Sequence, residues 1–420
     1  MVWIHLAAAA TLTVGPSGEF STPCEAIAAA EAGEVIEVDA AGAYAGDTCA
    51  WSTDGLTVRG VNGRPLLDGT GAQLAQQKGI FVIQAATAWV ENLEFVGASV
   101  ADANGAGIRH QGTELHVTGC VFRDNENGIL GSPSVAGTGA VYIRDSEFEH
   151  NGAGDGYSHN LYLGNYATVS FEGSYSHRGN VGHLFKSRAA STWISASRFT
   201  DEEGGAASYE IDLPDAGSAW IVGSIVEQVG TTQNSAMIAY GEESLGAGAT
   251  DLHIINSTLV NHHDRGTFLS VGAAVQTPAH VVNTLFTGAG TLSSQASTTF
   301  VTSWDDSLGD PLLIDPAGLD VQLQAGSPCI DAGSDPGETV AATEFTPPAG
   351  ERARTLVNDA WDIGAYEFGS PAPDDDSGGD TAPEGDNSSL PGTANCGCNS
   401  GASPAAAALA AAVLLVLRRR

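Results

Sequence analysis

The sequence predicts an all-β solenoid, and three observations predict it. Six short segments share one pattern: Val141 to Ser146, Val169 to Ser174, Thr192 to Ser197, Ala219 to Ser224, Leu252 to Ser257 and Ala279 to Thr284. Each is a β-prone run that ends in a small residue and then Ser or Thr, and Cys120 holds the same place one repeat earlier. Second, these anchors step by 26, 28, 23, 27, 33 and 27 residues, a unit size that signals stacked coils. Third, Gly is abundant at 53 of 420 residues and aromatics are few, which suits tight turns between short strands. One coil cannot bury its own apolar face, so successive coils must stack, and the length belongs to one body.

The elements follow in chain order. Thr11 to Val14 reads as a first strand. Thr22-Pro23-Cys24-Glu25 has the form of a capping box, with Thr as N-cap, Pro at N1 and Glu at N3. A short Ala-rich helix runs from there to about Glu31, stopped at Gly33, and Val35 to Val38 is the next strand. A helix at this place covers the open end of a solenoid, which otherwise exposes core and unpaired backbone. From Leu56 to Leu285 the chain alternates strand and turn. Asn256 and Asn283 occupy equivalent places and read as turn caps or an Asn ladder. Trp193 and Trp220 are also equivalent; packing between coils is the simpler reading, and a sugar platform the alternative. His262-His263-Asp264 reads as a turn between coils.

The end of this region carries Ser327-Pro-Cys-Ile-Asp-Ala-Gly333 and Asp362-Ile-Gly-Ala-Tyr-Glu367. Together with the opening Thr13-Val-Gly-Pro-Ser-Gly-Glu-Phe20 and the coils between, these residues resemble bacterial right-handed parallel β-helix proteins of the pectin-lyase-like superfamily. The resemblance spans residues 11–369 and implies a right-handed parallel β-helix with a short N-terminal capping helix. It leaves function open, because the superfamily holds lyases, hydrolases, epimerases and adhesins.

Fifty acidic residues stand against 16 basic ones, a net charge of −34, and only Lys78 and Lys186 are lysines. Such a surface repels nucleic acid and anionic lipid, and neither is expected as a partner. No Asp/Asn-Gly loop of the calcium repeats occurs, so no metal site is assigned; Ca2+ stays open as a cofactor. Cys24 and Cys49 lie about one coil apart and could form a disulfide if the protein is exported. Cys120 reads as a small buried residue within a strand, and Cys329 as buried in the last coils.

The termini point to export. Met1 to Ala10 reads as a truncated signal peptide, apolar with an Ala-rich end. Residues 370–395 are rich in Pro, Asp, Gly and Ser, a self-repelling spacer. Cys396 and Cys398 follow, then an apolar run from Pro404 to Leu417, then three arginines. This three-part order over residues 396–420 resembles the C-terminal sorting tails of myxobacterial surface proteins, which implies anchoring at the Cys pair. The expected place is the cell surface, the outer membrane or, after processing, the medium, with the membrane met only through the tail. The folded part is read as a monomer.

Outward side chains of successive coils line up about 4.8 Å apart, so a polymer site should show as polar residues at equivalent places. The region from Asp155 to Asp215 does so. With Leu161, Leu184 and Ile211 inward, alternation sets Asn160, His183 and Glu210 in one outward rank and Tyr162, Phe185 and Asp212 in the next. His159, His177, Arg178, Lys186 and Arg188 gather nearby as a basic island in an acidic chain. Lys186 and Arg188 could neutralise a uronate carboxylate while His183, His159 or Tyr209 removes the proton α to it. The competing reading pairs Lys186 and Arg188 with Glu210 and Asp212 as structural ion pairs. Lys186-Ser187 resembles the lysine-base motif of β-helical alginate and chondroitin lyases, but the next coil brings Tyr209-Glu210-Ile-Asp212 where those bring an arginine. The polygalacturonase motifs and the pectate-lyase Arg-x-Pro-x-x-Arg signature are absent. Three readings result: an extended-carbohydrate binder, with catalysis unassigned; a polysaccharide lyase; and a non-catalytic adhesin or surface structural protein. The residues singled out for catalysis are His183, Lys186, Arg188, Tyr209 and Glu210. Those for an extended polysaccharide or cell-surface glycan are His159, Asn160, Tyr162, His177, Arg178 and Asp212.

Overall fold

The structure, a computed structural model, describes residues 10–369 except 203–204, 247 and 338–340. The spacer, Cys396, Cys398 and nearly all of the leader reading lie outside the described residues. Three parallel sheets of 12, 9 and 10 strands run the length of the coiled region, and the chain visits them in turn. We call them the first, second and third sheets. Strands of neighbouring coils pair in register, as in Leu115↔Val141 and Val141↔Val169 on the first sheet.

The repeating Ser has a definite job at the corner between the first and second sheets. The residue before it sits in the left-handed region: φ is 64° at Gly119, 49° at Asp145, 55° at Gly173, 43° at Ala196, 59° at Gly223, 45° at Asn256 and 48° at Asn283. Gly, Asn and Asp enter that region most readily, which explains most of the residues at this place. The Ser hydroxyl then donates to the carbonyl two residues back and accepts the backbone N–H of the Ser one coil earlier. The amides of Cys120, Ser146, Ser174, Ser197 and Ser224 donate to the hydroxyls of Ser146, Ser174, Ser197, Ser224 and Ser257 at 3.1 to 3.3 Å. Cys120 lies at this corner, one residue before its strand, rather than within it. We expect Ser197→Ala to cost about 1–3 kcal/mol, because the Ser174 amide would be buried without a partner. A urea midpoint equal to wild type would show that the hydroxyl chain carries no stability.

Inside the stack, Phe95, Phe122 and Phe148 lie face to face with centroids 4.9 and 4.8 Å apart. Buried Asn125, Asn151 and Asn160 form a ladder along the second interior corner: Asn151 Oδ1 accepts from Asn125 of the coil before, and Asn160 Oδ1 accepts from Asn151. The helix Pro23–Ala29 closes the first end, with the reciprocal Thr22–Glu25 capping box present and Ala26 and Ile27 in the core. Cys24 and Cys49 are joined by a disulfide.

After Thr299–Val301 the chain leaves the stack and folds back over the outer face of the second sheet. Leu313, Val321, Leu323, Phe345 and Tyr366 pack there against Ile225, Val260 and Leu285. Cys329 therefore sits in this covering segment, not in a coil. The two halves of the closing motif bind each other: Ile363 N–H donates to the Cys329 carbonyl at 3.0 Å, and the Asp331 amide to Asp362 at 2.7 Å. The buried Arg354–Glu367 pair, 2.6 Å apart, completes the seal. The second sheet is thus covered along its later coils, and the outer face of the third sheet carries the ionisable residues described next.

Candidate functional site

Three short strands of the third sheet position the site: Leu161–Leu163, Phe185–Ser187 and Ile211–Leu213. The middle strand differs by one residue from the expected register, while Leu161 and Ile211 point inward as expected. Tyr162 pairs with Lys186 and Lys186 with Asp212, so the outward rank is Tyr162, Lys186, Asp212. Phe185 lies opposite Ile211, and both are in the core. Three residues before each member of that rank, His159, His183 and Tyr209 stack on one another, with centroids 4.6 and 5.0 Å apart and both histidines nearly buried. Asn160 and Glu210 are fully buried, which removes both from the outward rank. Asn160 spends its side chain on Asn151, Ser176 and the carbonyls of Phe148 and His177. Glu210 cannot reach a ligand on the outer face.

The ion pairs of the site are dense. Lys186 Nζ lies 2.7 Å from Asp212 Oδ2 and 3.3 Å from Glu243 Oε1. Arg188 donates to Tyr162 Oη at 3.0 Å and Asp215 Oδ1 at 2.7 Å, and through Nη2 to Glu243 Oε2. The expected structural pairing is thus partly present, with Asp212 but not with Glu210. The lysine and arginine face three carboxylates, so the basic island is neutralised from within. Burial raises the Asp212 pKa, and nearby Lys186 only partly offsets it. Burial also opposes ionisation of Glu243, but Arg188 and Lys186 outweigh it and hold that carboxyl below its usual range.

The histidines take a definite tautomer. His159 Nδ1 accepts the His183 amide at 2.9 Å, and His183 Nδ1 accepts the Tyr209 amide at 3.2 Å. A ring nitrogen that accepts from a backbone N–H is unprotonated, so in the neutral ring Nε2 carries the proton. Burial, with help from His159 and Lys186, pushes His183 down to about 2; burial and then Lys186 push His159 down to about 3. Both rings are neutral at ordinary pH with their lone pair already committed to the backbone. That arrangement gives His183 no free base for proton abstraction; it orders the coils.

His177 and Arg178 belong elsewhere. His177 ends the second-sheet strand Tyr175–His177, where it lies 3.0 Å from both Glu147 and Glu202. Arg178 bridges Glu149 at 2.8 Å and Glu202 at 2.7 Å. Ligand atoms of Glu147, Glu149 and His177 come within 4.8 Å of one another. Burial disfavours the imidazolium, but the two glutamates outweigh it and raise the His177 pKa. The Arg178 guanidinium already brings positive charge to Glu149 and Glu202 at this place.

Asp215, Glu243 and Ser244, which complete the third-sheet cluster, were not found by reading repeats. Asp215 follows its strand in a turn, and Glu243 comes from a loop after Ala236–Tyr240, two coils beyond Lys186. A pocket of about 220 Å³ adjoins the cluster and is lined by Asn165, Tyr166, Arg188, Asp215 and Gly246 among others. On the first sheet, Trp220 stacks flat on His253 at 3.7 Å, and Trp193 tilts toward Trp220 at 6.2 Å. Trp220 therefore spends a face on its neighbour, which favours packing over a sugar platform.

The chain is a right-handed parallel β-helix by its coils and sheets. No protein-family model matches the sequence, and no curated protein matches it. Among solved structures it is similar to pectate lyase Pel9A, with a TM-score of 0.61 at 15% identity, over 86% of this chain and 97% of that one. That likeness is one of fold.

Proposed function

We propose that the outer face of the third sheet binds an extended carbohydrate laid along the coil axis. The observation that carries this reading is the in-register rank Tyr162, Lys186, Asp212 on three successive coils, with Arg188 beside it. The rank repeats at about the 4.8 Å spacing of stacked strands and offers a ring, a cation and an anion in line. Binding without turnover is preferred to β-elimination, because the His183 Nδ1 lone pair is committed to the Tyr209 amide and Lys186 Nζ is engaged by Asp212 and Glu243. The further proposal of export and surface anchoring rests on the Cys24–Cys49 disulfide and on the sequence of the tail. The test is calorimetric titration of the protein with neutral and uronate-containing oligosaccharides, alongside absorbance of unsaturated sugar ends. Binding without new absorbance is the expected result. Absorbance that grows with time would establish a lyase, and no binding to any glycan would leave the adhesin or structural reading.

A further inference from the structure

We propose that Lys186 and Arg188 form a carboxylate-recognition site which the chain's own Glu243 fills in the free protein, and that a uronate carboxylate takes its place. The inference rests on the carbohydrate reading and narrows it to chains that carry carboxylates.

The geometry separates permanent partners from an exchangeable one. Lys186 and Arg188 stand two residues apart and face the same side. Each keeps one nearly buried carboxylate: the side chains of Asp212 and Asp215 are 4% and 12% exposed. The second carboxylate is shared, since the two oxygens of Glu243 divide between Lys186 and Arg188. Glu243 is 52% exposed, so it lies over the cations from the solvent side. One carboxylate bridging an ammonium and a guanidinium is how a protein would hold a uronate from that side.

Charge points the same way. Two cations face Asp212, Asp215 and Glu243, a local sum of −1. An added anion would be repelled from that arrangement, but an anion that replaces Glu243 leaves the sum unchanged. Glu243 is the one member of the cluster whose carboxylate water can solvate on release, since it is half-exposed while both cations are largely covered. The loop backbone stays pinned, with the Glu243 and Ser244 amides donating to the Pro214 carbonyl at 3.1 Å, so the exchange moves the Glu243 side chain alone. The pocket that Arg188 and Asp215 share with Gly246 lies beside the exchange point and gives a bound sugar ring room.

The experiment is calorimetry of wild type, Glu243→Gln and Glu243→Ala with a galacturonate tetramer and a neutral glucose tetramer. Removing the internal carboxylate should tighten binding of the galacturonate tetramer about tenfold or more. The glucose tetramer should bind no better than before. Galacturonate binding that is indifferent to Glu243 would overturn the exchange while leaving the carbohydrate reading intact. Equal tightening for both tetramers would also overturn it, since Glu243 would then be only a steric cover. No binding of either tetramer to any of the three proteins would remove both readings.

Discussion

Lys186→Met is expected to abolish galacturonate binding and to destabilise the protein by about 3 kcal/mol at neutral pH. The ammonium is the partner of Asp212 at 2.7 Å on a face where that carboxylate is almost out of water. Removing it strands a buried charge. Asp212, whose pKa burial already raises, then answers by taking up a proton, so the loss should shrink toward acid pH. The double variant Lys186→Met with Asp212→Leu separates the two effects. It should regain most of the stability, because a buried pair is replaced by apolar side chains, and regain none of the binding. Urea unfolding at pH 7.5 and calorimetry measure the two. A single variant as stable as wild type would mean that the pair is dispensable, and retained binding would move the site elsewhere.

The second large effect concerns Glu210, whose two carboxylate oxygens have no hydrogen-bond partner in the core. Burial, reinforced by Asp201, raises its pKa well above 4.5, and burial lifts Asp201 up to about 7 from 3.8. An acid with a raised folded pKa keeps a proton that the unfolded chain gives up. Its contribution is therefore fully present below the unfolded pKa and is lost as pH rises toward the folded one. For Asp201 that window runs from 3.8 to about 7 and corresponds to about 4 kcal/mol. Leu184 fills the place of Glu210 one coil earlier, so Glu210→Leu should fit the core. We expect Glu210→Leu to exceed wild type by at least about 2 kcal/mol at pH 8, with the advantage fading near pH 4. The buried neutral histidines act oppositely, losing stability as pH falls below 6.5, but both proteins share them and the difference cancels them. An advantage of the same size at pH 4 and pH 8 would show that Glu210 does not titrate in this way.

The coil was legible because its corner makes the same demand each time. A left-handed residue followed by a hydroxyl is a chemical requirement, and it recurs at readable intervals from Cys120 to Thr284. The third-sheet register was not legible for the opposite reason. Loops of unequal length separate the second sheet from the third, so the Ser anchors do not carry their phase across. The strands there are three residues long, and Leu184 and Phe185 are both in the core, so alternation offers no guide. His183 was picked out by residue type, but its role depends on which nitrogen faces the Tyr209 amide, a detail only coordinates supply. Glu243 was missed because its partners lie two coils away on a different loop, beyond any repeat.

The hydroxyl-to-amide joint at the corner is blind to the identity of the turns it connects. From Cys120 to Ser257 the same joint links five successive pairs of turns. The coiled region is in this sense of adjustable length: a whole turn can be spliced in or out with its joints unchanged. The turns from Leu161 to Glu243 are the exception, because Tyr162, Lys186, Asp212 and Glu243 must keep their order. Gain or loss of turns on either side would alter how far the stack extends while leaving what it grips alone.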